Sequence, residues 1–99
     1  MKIPDKIKIG GHDVDVKIVS PADLGPDVGG DFQGQYNLIR ISNDSVESCM
    51  ARTLMHEIVE WISGHHELNM EHSQVTSLAE NLFQVLRDNN LDFRGEASK

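Results

Sequence analysis

The run Thr53-Leu54-Met55-His56-Glu57-Ile58-Val59-Glu60-Trp61-Ile62 sets one imidazole and two carboxylates inside an otherwise apolar stretch. Met50, Leu54, Met55, Ile58, Val59, Trp61 and Ile62 cover more than one narrow stripe of a helix, which places that helix at the centre of its domain, packed on both sides. The pattern predicts a helix from about Val46 to Ser63. Ser42-Asn43-Asp44-Ser45 offers N-caps, Glu47 suits the first turn, and Gly64 is the expected stop. Ionisable groups in such a setting must be paired, hydrogen-bonded or metal-bound, because burial alone costs on the order of several kcal/mol.

Residues four apart lie on one helix face, so His56 and Glu60 point the same way and Glu57 sits one step round the cylinder. This is the spacing of the H-E-x-x-H signature, in which two imidazoles hold zinc and the intervening Glu is a general base, with the second His replaced by Glu. Catalytic zinc sites commonly take two His and one carboxylate and leave a fourth position open. The missing nitrogen must come from elsewhere in the chain. His72 is the candidate, since it opens a second helical pattern, predicted from about Glu71 to Asp88, on one stripe with Val75, Ala79, Leu82 and Leu86. Its rival is His66, ten residues after His56, the interval of the third metzincin His, but Ser63-Gly64 puts the required Gly one position out of place. His72 is preferred because it falls on a regular stripe. Two His and one carboxylate also suit non-haem iron, although an adjacent base such as Glu57 argues for hydrolysis. His65 reads as a loop residue, His12 as a solvated turn residue, and Cys49 as a small buried thiol.

The stretch "TLMHEIVEWISGHHELNMEHSQVTSLAENLFQVLRDN", together with "IPDKIKIGGHDVDVKIV" near the start, resembles the small zincin-like proteins of phages and bacterial mobile elements, single-domain relatives of minimal gluzincins. Their more usual members carry H-E-x-x-H and an acidic residue where this chain has His72; a sister group carries H-E-x-x-E with His there, and this chain matches the sister group. The resemblance covers nearly the whole chain. It implies one zinc ion held by His56, Glu60 and His72, with Glu57 as general base, and a metallopeptidase acting on a peptide or protein substrate. The alternative is a phage protein, with structural metal or none, that acts by binding a host or phage protein.

Upstream of the helix, Ile7 and Ile9, then Val14, Val16 and Ile18, alternate with charged residues around Gly10-Gly11, which predicts a β-hairpin between Lys6 and Val19. Residues 20 to 30 have loop composition. Asp23, Asp27 and Asp31 fit no EF-hand spacing and read as solvated loop charge. Phe32, Tyr36, Leu38, Ile39 and Ile41 around Gln33-Gly34 predict a second hairpin. In zincin-like folds the strand beside the active-site helix holds an extended substrate, and Gly29 to Phe32 is the analogous run here. The expected fold is α+β, a small, mostly antiparallel sheet of about four strands followed by two packed helices, in a single domain over residues 1–99 with a mobile polar tail over 90–99. Leu91 and Phe93 of that tail can dock on the domain.

Sixteen acidic residues against nine basic give a formal charge of −7. That balance repels phosphate backbones and anionic lipid, which argues against nucleic-acid and membrane partners. A single cysteine excludes an internal disulfide, and the first residues lack the apolar core of a signal peptide, so a cytoplasmic location is expected.

Overall fold

The computed structural model describes residues 3–89. It is an α+β fold, a four-stranded mixed sheet followed by two helices. The tail expected over 90–99, with Leu91 and Phe93, lies outside the described residues.

Strands β1 (Lys6–Ile9) and β2 (His12–Val19) form the first hairpin. Gly10 (φ 56°) and Gly11 (φ 84°) both have the positive φ that a two-residue turn of this hand requires, so the turn fixes the register. Ile7 stands opposite Val14, while Lys6 faces Asp15 and Lys8 faces Asp13 on the outer side. Those ion pairs, at 3.8 and 4.0 Å, are exposed and add little to stability. Strands β3 (Gly30–Gln33) and β4 (Leu38–Ser42) form the second hairpin, and Asn37 in the left-handed region ends the short helical turn between them.

The sheet order is β1-β2-β4-β3. Both hairpins are antiparallel, but β4 pairs parallel to β2, with Val16 beside Ile39 and Ile18 beside Ile41. The loop between β2 and β3 carries the chain past the β4 position, so β4 slots in on its return and β3 is left at the edge. Alternation marks which face of a strand is buried and is silent about its neighbour, so this parallel contact was not legible.

Helix α1 (Glu47–His65) lies across β3 and β4, and helix α2 (His72–Asp88) packs on its far side. Leu54 and Trp61 join Ile9, Val14, Val16, Ile39 and Ile41 in one core, whereas Met55 and Val59 join Val75 and Ala79 in a second. α1 is therefore buried on two sides, as its double apolar stripe requires. Ile18, at the far end of β2 from Trp61, stays 49% exposed.

The helix ends differ from expectation. The N-cap is Val46, because Ser42 and Asp44 bond to each other: the Ser42 hydroxyl donates to Asp44 Oδ1 at 2.8 Å. At the other end α1 runs through Gly64, and the reversal falls on Glu67 and Asn69, both at positive φ. α2 starts with a capping box in which Glu71 N–H donates to Gln74 Oε1 at 2.9 Å. Only part of its apolar face meets α1, leaving Leu78, Leu82 and Val85 about half exposed. No helix among the described residues is long and apolar enough to cross a membrane.

Candidate metal centre

At about 100° per residue, the sheet-facing stripe of α1 (Leu54, Ile58, Trp61) and the α2-facing stripe (Met55, Val59) leave one flank of the helix uncovered. His56 and Glu60 fall on that flank, about 40° apart, and Glu57 falls between it and the sheet. α2 brings His72 to the same place from its first turn. One ligand atom from each of His56, Glu60 and His72 lies within 4.8 Å of the other two, the one such group of three or more His, Cys, Asp or Glu donors among the described residues. His66, the rival, caps the end of α1 and is not in the group. Cys49, in the first turn of α1, is half-buried and also outside it.

The donor set fits a divalent ion. Ligands bonded at about 2.1 Å in a tetrahedron stand roughly 3.4 Å apart, so small rotamer adjustments close these three side chains on an ion. Two imidazoles on one tetrahedral ion also hold their ring centroids roughly 5 Å apart, and those of His56 and His72 are 5.2 Å apart. The other histidine pair, His12 and His65, is 6.2 Å apart and belongs to a different structure. His65 stacks on Trp61 at 3.5 Å and its Nδ1–H donates to the Trp61 carbonyl oxygen at 3.0 Å, so this ring closes the end of the core. His12 is exposed and outside the donor group, as its solvated reading has it, but it opens β2 instead of lying in the turn and adds a tilted contact to Trp61 at 5.6 Å.

A cleft of about 310 Å³ opens beside the three donors. Asp27 to Gly30 form one wall, Arg52, Thr53, His56 and Glu57 of α1 the floor, and His72, Thr76, Ala79 and Glu80 of α2 the other wall. Glu60 is outside this lining, so a molecule in the cleft meets the two imidazoles and Glu57. Gly30 sets how close the wall comes: a Cβ there would lie 2.8 Å from both the Arg40 carbonyl oxygen and Thr53 Cγ2, and 3.7 Å from Glu57 Cγ. Only glycine lets α1 press Glu57 this near to the edge strand.

That approach leaves Glu57 only 7% exposed. Burial, then the charges of Glu60 and Asp31, pushes its pKa from 4.5 to about 7. His56 is moved down from its ordinary value, chiefly by burial, with Glu60 opposing and His72 assisting. It is thereby biased toward the neutral imidazole that a metal takes. Thr76 Oγ1 stands 3.4 Å from His72 Nε2, one helical turn along α2, where a hydroxyl can hold the ring's orientation. The i,i+4 spacing was readable in the sequence, yet Thr76 was passed over.

Asp31 is not the solvated loop charge it resembled. It faces Arg40 directly across the β3–β4 pair and accepts from both Nε and Nη2, while Arg40 Nη1–H donates to the Asp23 carbonyl oxygen at 3.3 Å. This fork ties the 20–30 loop to the sheet and so holds the wall of the cleft.

Comparison with family models, curated proteins and solved structures returned no match to this chain.

Proposed function

We propose that the chain is a zinc-dependent peptidase of zincin-like type, with His56, Glu60 and His72 holding the ion and Glu57 acting as general base. The observation that carries this reading is the pairing of a His-Glu-His donor group with the buried carboxylate of Glu57 on the floor of the adjoining cleft, where burial pushes its pKa up to about 7 in the metal-free chain. A structural metal site has no use for such a carboxylate, whereas hydrolysis needs one.

When bound, zinc supplies Lewis acidity toward a water molecule and a carbonyl oxygen. The residues of the chain do the rest. A carboxyl group with a pKa close to the working pH accepts a proton and returns it with little loss in either direction. Glu57 takes the proton of the attacking water and delivers it to the nitrogen of the departing amine. Val28 and Ala79 line the cleft with apolar surface that limits bulk water around this transfer. Among the described residues no further strand pairs with the outer edge of β3, so its backbone N–H and C=O groups can hold an extended peptide by strand addition.

The test is hydrolysis of a mixed fluorogenic peptide library by the zinc-loaded protein and by Glu57→Gln. Cleavage by the wild type, lost in Glu57→Gln while the metal is retained, is the expected result. Equal cleavage by both would remove Glu57 from the mechanism. Metal retention with no cleavage of any peptide would favour the alternative of a metal-holding binding protein.

A further inference from the structure

We infer that the cleft receives a basic side chain, lysine or arginine, from its ligand and that Asp27 selects it; this rests on reading the cleft as the substrate site. Two carboxylates line the cleft from different elements, Asp27 on the loop wall and Glu80 on α2, and Val28 and Ala79 line the same two walls. That combination suits a side chain with an apolar stem and a cationic head: the methylenes lie on Val28 and Ala79, and the head reaches the carboxylates.

The carboxylates differ in their present partners. Glu80 stands 4.0 Å from Arg52 in an exposed pair, an attraction weak enough to be shared with a second cation. Asp27 has neither a hydrogen bond nor an ion pair among the described residues, and it holds the left-handed backbone conformation at φ 59°. On the floor, Glu57 is more than nine-tenths buried as a residue and has no hydrogen-bond partner among the described residues, yet its carboxylate oxygens are not enclosed, so they open into the cleft where a ligand can bond to them. Away from the two imidazoles and the ion they would hold, an anionic ligand would meet Asp27, Glu57 and Glu80 with Arg52 alone in its favour. The formal charge of −7 draws cations toward the whole molecule.

The test is binding of three blocked peptides of the form Gly-Ala-X-Ala-Gly, with X lysine, norleucine or glutamate, followed through the amide resonances of Val28, Gly29, Thr76 and Ala79. Norleucine keeps the stem and removes the charge. Lysine is expected to bind about fivefold tighter than norleucine at low salt, with glutamate weakest, and the advantage shrinks as salt screens it. In Asp27→Asn the lysine advantage is expected to fall below about twofold with metal content unchanged, since Asn accepts the left-handed conformation and the site is exposed. Equal binding of lysine and norleucine, tighter binding of glutamate, binding of none, or a preference that survives Asp27→Asn would overturn the inference. Cleavage is scored separately on the same peptides. A lysine preference without cleavage removes the peptidase reading alone, and cleavage of all three without preference removes the present inference alone.

Discussion

Replacing Glu57 by Gln in metal-stripped protein should change how stability depends on pH, by an amount the structure sets. In the unfolded chain Glu57 ionises near 4.5; folded, buried beside Glu60 and Asp31, it holds its proton to about pH 7. Below pH 4.5 both states carry the proton and the group contributes nothing to the pH dependence. Between 4.5 and 7 the unfolded state loses its proton first, so stability falls as pH rises, and the full penalty is present above 7. At about 1.4 kcal/mol per tenfold change in proton affinity, the penalty amounts to about 3 kcal/mol. Urea denaturation of wild type and Glu57→Gln, both stripped with chelator, at steps from pH 4.5 to 8 measures it as a difference. The other ionisable groups are common to both proteins, so their contributions largely cancel in the difference. The variant is expected to gain on the wild type by about 3 kcal/mol across that window, with most of the gain between pH 5 and 7. A difference that stays constant with pH would refute the claim that burial holds the Glu57 proton. Such a result would also remove the physical basis for Glu57 as a base poised near neutrality.

Three further outcomes follow from the packing. Gly30→Ala forces a methyl group against the Arg40 carbonyl oxygen and Thr53 Cγ2, and is expected to destabilise by about 1–3 kcal/mol or more in urea; stability equal to wild type would contradict the close approach of β3 to α1. Leu54→Ala empties a fully buried position between sheet and helix, with an expected loss of about 2–5 kcal/mol; a loss under about 1 kcal/mol would place Leu54 outside the core. His72→Ala removes an exposed side chain, so in chelator the variant is expected to unfold within about 0.5 kcal/mol of wild type. With zinc present, it is expected to lose the stabilisation that zinc gives the wild type; equal stabilisation of both by zinc would show that His72 does not hold the ion.

Elements were legible where side-chain period alone decides them. The alternation from Ile7 to Val16 and the double stripe of α1 mark buried faces, and the structure buries most of those residues. What escaped was set by partners far along the chain. No local pattern says that β4 pairs with β2, or that Asp31 faces Arg40, since both follow from the path of the 20–30 loop. Helix ends escaped for a related reason: Ser42 and Asp44, good caps by composition, are engaged with each other, while Glu67 takes a conformation that glycine usually supplies. The site divides in the same way. His56, Glu57 and Glu60 are a spacing on one helix and can be read directly, and His72 could be nominated from its stripe. The opposite wall could not. Asp27 and Gly30 reach the cleft only through the fold, and the role of Gly30 is visible only when Thr53 and Arg40 are seen against it.

The central claim is that His56, Glu60 and His72 form one metal site. Elemental analysis of protein purified without chelator, alongside His56→Ala, Glu60→Ala and His72→Ala, tests it most directly. The expected result is about one zinc per folded chain in the wild type and loss in each variant, with His12→Ala retaining the ion as control. Absence of metal from the wild type even after zinc is added back, or full retention in the three variants, would contradict it.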